Sequence, residues 1–440
     1  MNRQVGFLLA TLGLFSASPA PAEQARPNIL LIMADDQGYE CLGANGSASY
    51  KTPRLDALAA QGARFEHCYA QPLCTPTRVQ LMTGLYNKRN YIEFGLLDPK
   101  ATTFAQVFQK AGYQTCVAGK WQLQGGFQGP NHFGFHEYCL WQLTRRPARY
   151  ANPGLEINGK EVNYSQGEFG EDLVSDYLCA FFERNQDKPF LAYYPMMLTH
   201  GPFVPTPDSP DYDRKARTGV SEAGNRKHFA SMVAYGDKTV GKLVDKLEAL
   251  GLRKRTLILY LGDNGTGKGI VSRMGNKEVV GDKGATTNGG THVSLIANLP
   301  GLVKAGQVRQ DLVDTTDFFP TLVDFAGIKP AGLSLDGRSF LPQLKGEKGN
   351  PREWTYCWYS RNGGPTGVEF ARNQRFKLYG DGKMFDLTKD ELEKAPLNLA
   401  GLQGEAVGVK ELLGKALEKY ATARPKELKL KEEKKGKKKE

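Results

Sequence analysis

Two pairs of oxygen-bearing side chains follow apolar runs of the sequence. Asp35 and Asp36 follow one run, and Asp263 and Asn264 follow another. Adjacent carboxylates repel each other unless a cation lies between them, although either pair alone also fits a solvated turn with a helix cap. Four hard oxygen donors at two strand ends are typical of a Ca²⁺ or Mg²⁺ site. We therefore predict that these four residues hold a divalent cation.

A cysteine stands at a predicted helix start. Thr75-Pro76 favours the first turn of a helix, because proline is tolerated where the N–H has no intrahelical partner. Cys74 would then lie at the positive end of the helix dipole, among free backbone N–H groups. Arg78, four residues on, can reach back to the same place. The segment fits a reactive thiol, and alone it also fits a structural cysteine.

The elements that must position these residues follow an α/β pattern. Apolar runs over residues 28–33, 189–197 and 256–261 predict strands buried on both faces of a parallel sheet. Between residues 228 and 251, apolar positions recur every three or four residues, which predicts a helix. Ligands of such sheets bind beyond the carboxyl ends of the strands, so the polar clusters should meet there.

The chain divides into four segments. Residues 1–22 have the pattern of a signal peptide, with Arg3 before an apolar run and a small-residue cleavage site at its end. Residues 23–330 form the predicted catalytic α/β domain. Residues 331–423 form a smaller α+β subdomain, in which residues 370–387 predict a hairpin. Residues 424–440 are a predicted basic, disordered tail.

Composition narrows the class of protein. The formal net charge of the chain is +11. The predicted tail has nine basic and four acidic residues, so it contributes 9 − 4 = +5 to this charge. Export argues against nucleic acid as a partner, and the remaining positive charge suits an anionic substrate. No apolar segment is long enough to span a bilayer, so we expect an exported periplasmic or extracellular protein without a membrane span. The seven cysteines lack zinc-ligand spacing, and disulfides and buried thiols both stay open.

One glycine-rich segment imitates a phosphate loop. Residues 262–269, GDNGTGKG, satisfy most of that pattern, but Gly269 stands where a metal-binding serine or threonine belongs. We therefore reject nucleotide binding.

The segment CTPTRVQLMTG, residues 74–84, resembles the activation signature of the type I sulfatases, a branch of the alkaline phosphatase superfamily. The resemblance covers nearly the whole mature sequence. In chain order, the matching elements are Asp35-Asp36 (first metal pair), Gly119–Trp121 (first lysine motif), His200-Gly201-Pro202 (HxP element), Asp263-Asn264 (second metal pair), Lys283-Gly284 (second lysine) and Asp317–Gly327 (late helix). It implies a large, mixed, mostly parallel sheet between layers of helices.

The resemblance also implies a modified nucleophile. In the family, the cysteine that matches Cys74 is oxidised to Cα-formylglycine by a maturation enzyme. Its hydrate would attack sulfur and also bind the cation, for which calcium is expected in preference to magnesium. One hydroxyl of the hydrate forms the covalent intermediate, and the other later expels sulfate.

The resemblance assigns roles to the surrounding side chains. Arg78 and Lys120 would steady the hydrate, while Lys120 and Lys283 offset charge on the sulfuryl oxygens. Asp263 would accept a proton from the attacking hydroxyl, and His200 would be the acid for the leaving alcohol. Lys120, Lys283 and His200 thereby bind substrate as well.

Three positions depart from the family pattern. Gln122 replaces a histidine that helps to orient the hydrate, and we count this glutamine among the substrate-binding residues; it cannot carry a proton near neutral pH. Thr77 replaces the commoner serine of the activation motif, which bears on maturation. Residues 288–294, NGGTHVS, replace another family motif and affect local structure.

The predicted activity is hydrolysis of a sulfate ester on an exported, sulfated carbohydrate. The basic segment at residues 144–150, TRRPARY, fits either a substrate-gripping loop or a solvated loop. Two alternatives remain open at this point. One is a phosphodiesterase or phosphonate hydrolase of the same superfamily, and the other is a non-catalytic binder of sulfated glycans.

Overall fold

The computed structural model describes residues 26–429, so the predicted signal peptide lies outside the described residues. The strands are β1 (Asn28–Ala34), β2 (Ala63–Tyr69), β3 (Gln114–Lys120), β4 (Glu137–Trp141), β5 (Gly154–Ile157), β6 (Lys160–Asn163), β7 (Phe190–Pro195), β8 (Thr256–Gly262), β9 (Val271–Met274), β10 (Lys277–Val280), β11 (His292–Asn298), β12 (Gln307–Asp314), β13 (Thr355–Tyr359), β14 (Val368–Arg372), β15 (Phe376–Tyr379) and β16 (Met384–Asp386). The α-helices are α1 (Pro53–Ala60), α2 (Cys74–Thr83), α3 (Asn87–Asn90), α4 (Phe104–Lys110), α5 (Gly129–His132), α6 (Gly170–Arg184), α7 (Phe229–Ala249), α8 (Asn288–Thr291), α9 (Phe318–Phe325), α10 (Leu341–Leu344), α11 (Glu405–Tyr420) and α12 (Lys426–Lys429).

A ten-stranded sheet organises the larger part of the molecule. Its strand order is β12-β2-β11-β8-β1-β7-β3-β4-β5-β6. The five neighbouring strands β8, β1, β7, β3 and β4 run parallel to one another, whereas β11 is antiparallel to both of its neighbours, β2 and β8. Strands β5 and β6 add an antiparallel edge. The predicted mixed, mostly parallel sheet is therefore confirmed.

Helices cover both faces of this sheet. Along β1, Ile29, Leu31 and Met33 pack into one hydrophobic core, while Leu30 and Ile32 pack into the other. Helices α2, α4 and α9 close the first core, and α1, α6 and α7 close the second. Successive strand residues point to opposite faces, so burial on both sides requires the near-continuous apolar run that predicted this strand.

A smaller unit follows the main domain. Strands β13 to β16 form a four-stranded antiparallel sheet, and α11 packs on it through residues such as Leu413 and Ala416. The predicted hairpin is present, because β15 pairs with β16 across Gly380–Lys383. The C-terminal α+β unit is thus confirmed as a fold element.

Of the predicted tail, residues 424–440, only residues 424–429 lie within the described part of the chain. Arg424 opens the segment expected to be a disordered tail, yet its guanidinium is buried 4.2 Å from the ring centre of Trp358 and donates to the carbonyl of Gly364. The other residues of that segment that are described, up to residue 429, include the short helix α12. Among residues 26–429, no helix is both long and apolar enough to cross a membrane.

Candidate active site

The carboxyl ends of four adjacent parallel strands bring the predicted residues together. Strands β8, β1, β7 and β3 lie side by side in the sheet. Asp263-Asn264, Asp35-Asp36, His200 and Lys120 lie at or just beyond their respective ends. The carboxyl ends of these strands therefore bring together polar residues from segments that are far apart in the sequence, as expected for an α/β fold.

Two side-chain oxygens in this cluster are buried and have no hydrogen-bond partner within residues 26–429. They are Oδ1 of Asp35 and Oδ1 of Asn264. An unpaired buried polar atom costs about 1–3 kcal/mol, so a ligand that both oxygens could bind would stabilise this arrangement. One oxygen each from Asp35 and Asp263 lies within 4.8 Å of the other and of the Cys74 sulfur. These hard oxygen donors fit a divalent cation of the calcium or magnesium type.

The backbone at Asp36 is held in an unusual conformation. Its φ of 58° lies in the left-handed region that a residue with a side chain seldom adopts. Its N–H donates to Asp263 Oδ1 at 3.0 Å, and its own Oδ1 accepts from Asn264 Nδ2 at 2.9 Å. Hydrogen bonds therefore connect the pair Asp35-Asp36 with the pair Asp263-Asn264, and the carboxylates of both pairs face the same site.

Three cations each pair with one carboxylate of the site. Lys120 Nζ lies 2.6 Å from Asp35 Oδ2, and Lys283 Nζ lies 2.6 Å from an oxygen of Asp36. Arg78 donates to Asp263 Oδ2 at 3.1 Å and to the carbonyl of Lys120 at 3.0 Å. Arg78, Lys120 and Asp263 are almost completely buried, so these pairs are only weakly screened by solvent.

Burial and pairing set the protonation of the acids. Burial alone would raise the pKa of Asp35, but Lys120 holds that pKa well below its usual range. Lys283 has the same effect on the pKa of Asp36, against an opposing contribution from burial. For Asp263, burial and the neighbouring Asp35 carboxylate prevail and raise the pKa above its usual range. Asp263 is therefore the acid of this cluster with the greatest affinity for a proton.

Cys74 is the first residue of α2, as predicted, and is almost fully buried. The hydroxyl of Thr77 accepts from the N–H of Gln71 at 3.0 Å and lies 3.1 Å from the carbonyl of Leu73. Threonine thus supplies the hydroxyl that the commoner serine would bring, and it pins the turn that precedes Cys74. All seven cysteines are free thiols.

His200 is held by a residue that sequence analysis did not assign. Arg149 Nη1 lies 3.2 Å from His200 Nδ1, and Arg149 Nη2 donates to the carbonyl of Gly201 at 3.1 Å. That carbonyl is 2.6 Å from the same Nδ1. Nδ1 therefore has an acceptor for its proton in one tautomer and an arginine donor for its lone pair in the other. His200 Nε2 is left facing the site, 3.8 Å from Asp36.

Arg149 belongs to the basic segment that fitted a substrate-gripping loop or a solvated loop. It is buried, its guanidinium stacks 4.2 Å from the ring centre of Trp141, and Nε donates to the carbonyl of Gly219 at 2.9 Å. For this residue the solvated-loop interpretation was wrong, whereas the substrate-gripping interpretation stays a prediction. The available signal was the aromatic-arginine pattern, but nothing in the sequence related it to His200.

Burial also governs the charge of His200. It lowers the pKa of the ring to about 3, against opposing contributions from Asp36 and Asp35. The imidazole is therefore neutral near pH 7 in the unliganded site, and an acid role requires that substrate binding raise this pKa.

Gln122 follows directly from the lysine motif. It is buried, its φ is 58°, and its Oε1 has no hydrogen-bond partner among residues 26–429. It lines a cavity beside the cluster rather than completing the ion-paired core. Lys268, the lysine of the segment that imitates a phosphate loop, is exposed and lies 3.5 Å from Asp282.

Residues 27–328 match the family model described as Sulfatase, and residues 280–419 match the model described as N-sulphoglucosamine sulphohydrolase, C-terminal. The chain belongs to the sulfatase family. It is 31% identical to human arylsulfatase A over 397 residues, which cover 80% of this chain and 74% of that protein. It is 30% identical to mouse N-acetylgalactosamine-6-sulfatase over 389 residues, which cover 78% and 71%.

A solved structure supports the same assignment. The crystal structure of Ps i-CgsB superimposes with a TM-score of 0.76 at 26% identity, covering 91% of this chain and 94% of that one. The same protein is also known in complex with k-i-k-neocarrahexaose. This sulfatase is accordingly an enzyme of the sulfuric ester hydrolase class, with the fold that the sequence predicted.

Proposed function

We propose that this sulfatase hydrolyses a sulfate ester on a sulfated carbohydrate, using formylglycine made from Cys74 and a bound calcium ion. The observation that carries the proposal is that oxygens of Asp35 and Asp263 lie within 4.8 Å of the Cys74 sulfur, beside an Asp35 oxygen and an Asn264 oxygen that have no partner in the described part of the chain. The ion would be held by residues Asp35, Asp36, Asp263 and Asn264, together with the modified residue 74. When bound, it would polarise a sulfate oxygen and lower the pKa of a hydroxyl beside it.

The modified residue would supply the nucleophile. A hydrated aldehyde carries two hydroxyl groups on one carbon, so one can attack sulfur and the other can later release sulfate. Arg78 lies one turn along α2, fixed by Asp263 and by the carbonyl of Lys120. It can donate to an oxygen at position 74 while its own orientation is maintained.

Proton transfer would use Asp263 and His200. Asp263 is placed to accept the hydroxyl proton, because one of its carboxylate oxygens lies within 4.8 Å of the Cys74 sulfur. His200 Nε2 faces the site on its other side and would hold the proton that passes to the leaving alcohol. Lys120 and Lys283 reach the same space from β3 and from the loop before α8, where they would bind the sulfuryl oxygens.

The carbohydrate part of the proposal rests on similarity and on the site itself. Ps i-CgsB is known with a neocarrahexaose bound. In this chain, a polar cavity opens beside Gln122, next to the lysine motif, which suits a hydroxylated substrate. Export, predicted from residues 1–22, would place the enzyme where sulfated polysaccharides occur.

Mass spectrometry of the peptide that contains position 74 tests the proposal directly. Protein made together with a formylglycine-generating enzyme should carry the aldehyde and hydrolyse an aryl sulfate, and Cys74→Ala should abolish turnover. Cys179→Ala is the matched control, because this thiol is only partly buried and lies in α6, outside the site. An intact thiol in fully active protein, or faster hydrolysis of the matching aryl phosphate, would contradict the proposal.

A further inference from the structure

A cavity of about 270 Å³ lies beside the catalytic cluster. Three glutamines line it, and we name it the glutamine pocket. Its defining residues are Gln122, Gln124, Gln142, Arg145 and Arg146. Neither the ion pairs nor the proposed proton transfers of the catalytic cluster use these side chains.

The glutamine pocket adjoins the reacting residue through two short connections. Gly95, on its wall, donates its N–H to the hydroxyl of Thr75 at 3.2 Å, and Thr75 follows Cys74 directly. Gln122 lies two residues after Lys120, and its N–H donates to the carbonyl of Gln142 at 3.2 Å. A group bound in the pocket would therefore extend away from a sulfate ester held at position 74.

The amides of the pocket are held ready for a hydroxyl-bearing ligand. Oε1 of Gln122 and Oε1 of Gln142 are both buried without a hydrogen-bond partner in the described part of the chain. A hydroxyl both donates and accepts, so it can satisfy an amide in either orientation. All three glutamines have φ between 55° and 60°, a conformation that concentrates at ligand sites because it must be maintained against strain.

The charge at the rim is positive. Arg145 is engaged by the chain itself, 3.3 Å from Glu161 and donating to Asn163 at 2.8 Å. Arg146 is exposed and makes no ion pair with any residue between 26 and 429; its guanidinium lies 6.0 Å from the ring centre of Trp141. An uncompensated arginine at the rim of a polar pocket favours an anionic group on the ligand.

We propose that the glutamine pocket is a subsite for a sugar that carries a second anionic group, a carboxylate or another sulfate, next to the sulfate ester that is cleaved. Gln122 and Gln142 would bind the ring hydroxyls, and Arg146 would bind the second anion. The inference rests on the proposed function and adds a specificity to it. The substrate class is thus a polyanionic oligosaccharide rather than a singly sulfated one.

Calorimetric titration tests the subsite. The probes are sulfated disaccharides from chondroitin, heparin and carrageenan, each compared with a counterpart that lacks one anionic group, for example a carboxyl-reduced chondroitin disaccharide. All variants carry Cys74→Ala, which prevents turnover. We expect at least one doubly anionic disaccharide to bind about tenfold more tightly than its counterpart. Arg146→Gln should remove that preference, and Gln142→Ala should weaken binding of both members of the pair.

Arg273→Gln is the matched control, since Arg273 is an exposed arginine in β9, outside the pocket. The inference is overturned if no pair shows the preference, if Arg146→Gln keeps it, or if Arg273→Gln loses it equally. Hydrolysis of an aryl sulfate by the Cys74 enzyme is measured separately. If the enzyme hydrolyses the aryl sulfate but does not prefer doubly anionic disaccharides, the subsite is refuted and the proposed function stands. If it shows that binding preference but does not hydrolyse the aryl sulfate, the subsite stands and the proposed function is refuted.

Discussion

A buried acid behind the active site should make stability depend on pH. Glu171 lies in the first turn of α6, and its Oε1 accepts from the N–H of Met197 at 2.9 Å and of Leu198 at 3.0 Å. These residues begin the segment that leads to His200. Glu171 Oε2 has no hydrogen-bond partner among the described residues, and burial raises the pKa of the side chain to about 7.

The size and sign of the effect follow from this shift. The ordinary pKa is 4.5, so the folded state binds a proton between about pH 4.5 and 7 that the unfolded state releases. The contribution to stability is fully present below pH 4.5 and is lost as the pH rises through about 7. A shift of this size corresponds to about 3 kcal/mol. Glu171→Gln keeps an acceptor oxygen and has no charge to bury, so it should escape this loss.

Urea unfolding at several pH values measures the difference. Relative to the unsubstituted enzyme, Glu171→Gln should gain about 2 to 3 kcal/mol in free energy of unfolding between pH 5 and pH 8. Glu183→Gln, an exposed position on the same helix, is the control and should show no such gain. The reasoning is refuted if Glu171→Gln and the unsubstituted enzyme change in parallel over this pH range.

Three further predictions concern side chains around the site. Arg149→Ala should lower kcat/KM about tenfold and shift the pH profile of kcat, because His200 loses its Nδ1 neighbour, whereas exposed Arg217→Ala should leave both unchanged. Lys377→Ala should lower the free energy of unfolding by about 3–5 kcal/mol in chemical denaturation, since Lys377 is the buried partner of Glu393; an unchanged midpoint would contradict this. Chelation should abolish calorimetric binding of inorganic sulfate, and calcium should restore it, while Lys283→Ala in excess calcium should still bind sulfate more weakly than the parent.

The polar residues at the carboxyl ends of the central strands were predictable because they follow long apolar runs. A strand buried on both faces needs such a run, and the first polar residue after it marks the carboxyl end, as at Asp35 and Asp263. Cys74 was predictable for a similar reason, since Pro76 marks a helix start. By contrast, β5 and β6 are only four residues each, too short for a pattern to distinguish them from a turn.

The contact between Arg149 and His200 could not be predicted from the sequence. Arg149 is separated from His200 by 51 residues, and an arginine in a polar, proline-containing segment ordinarily indicates a surface loop. Its burial depends on Trp141, which stacks under the guanidinium. Gln122 posed a related problem, because its departure from the family pattern was visible while its backbone conformation and its cavity were not. These features depend on which segments meet, and that is decided by the complete fold.

The charges of the site explain why a cation matters for an anionic substrate. Asp35, Asp36 and Asp263 carry three negative charges when ionised, and Lys120, Lys283 and Arg78 pair with them one to one. The protein groups alone therefore offer a sulfate ester little net attraction at close range. A divalent ion among the unpartnered oxygens would leave a surplus of two positive charges, and removal of either lysine would still leave a surplus of one. Sulfate binding should accordingly tolerate the loss of one lysine better than the loss of the ion.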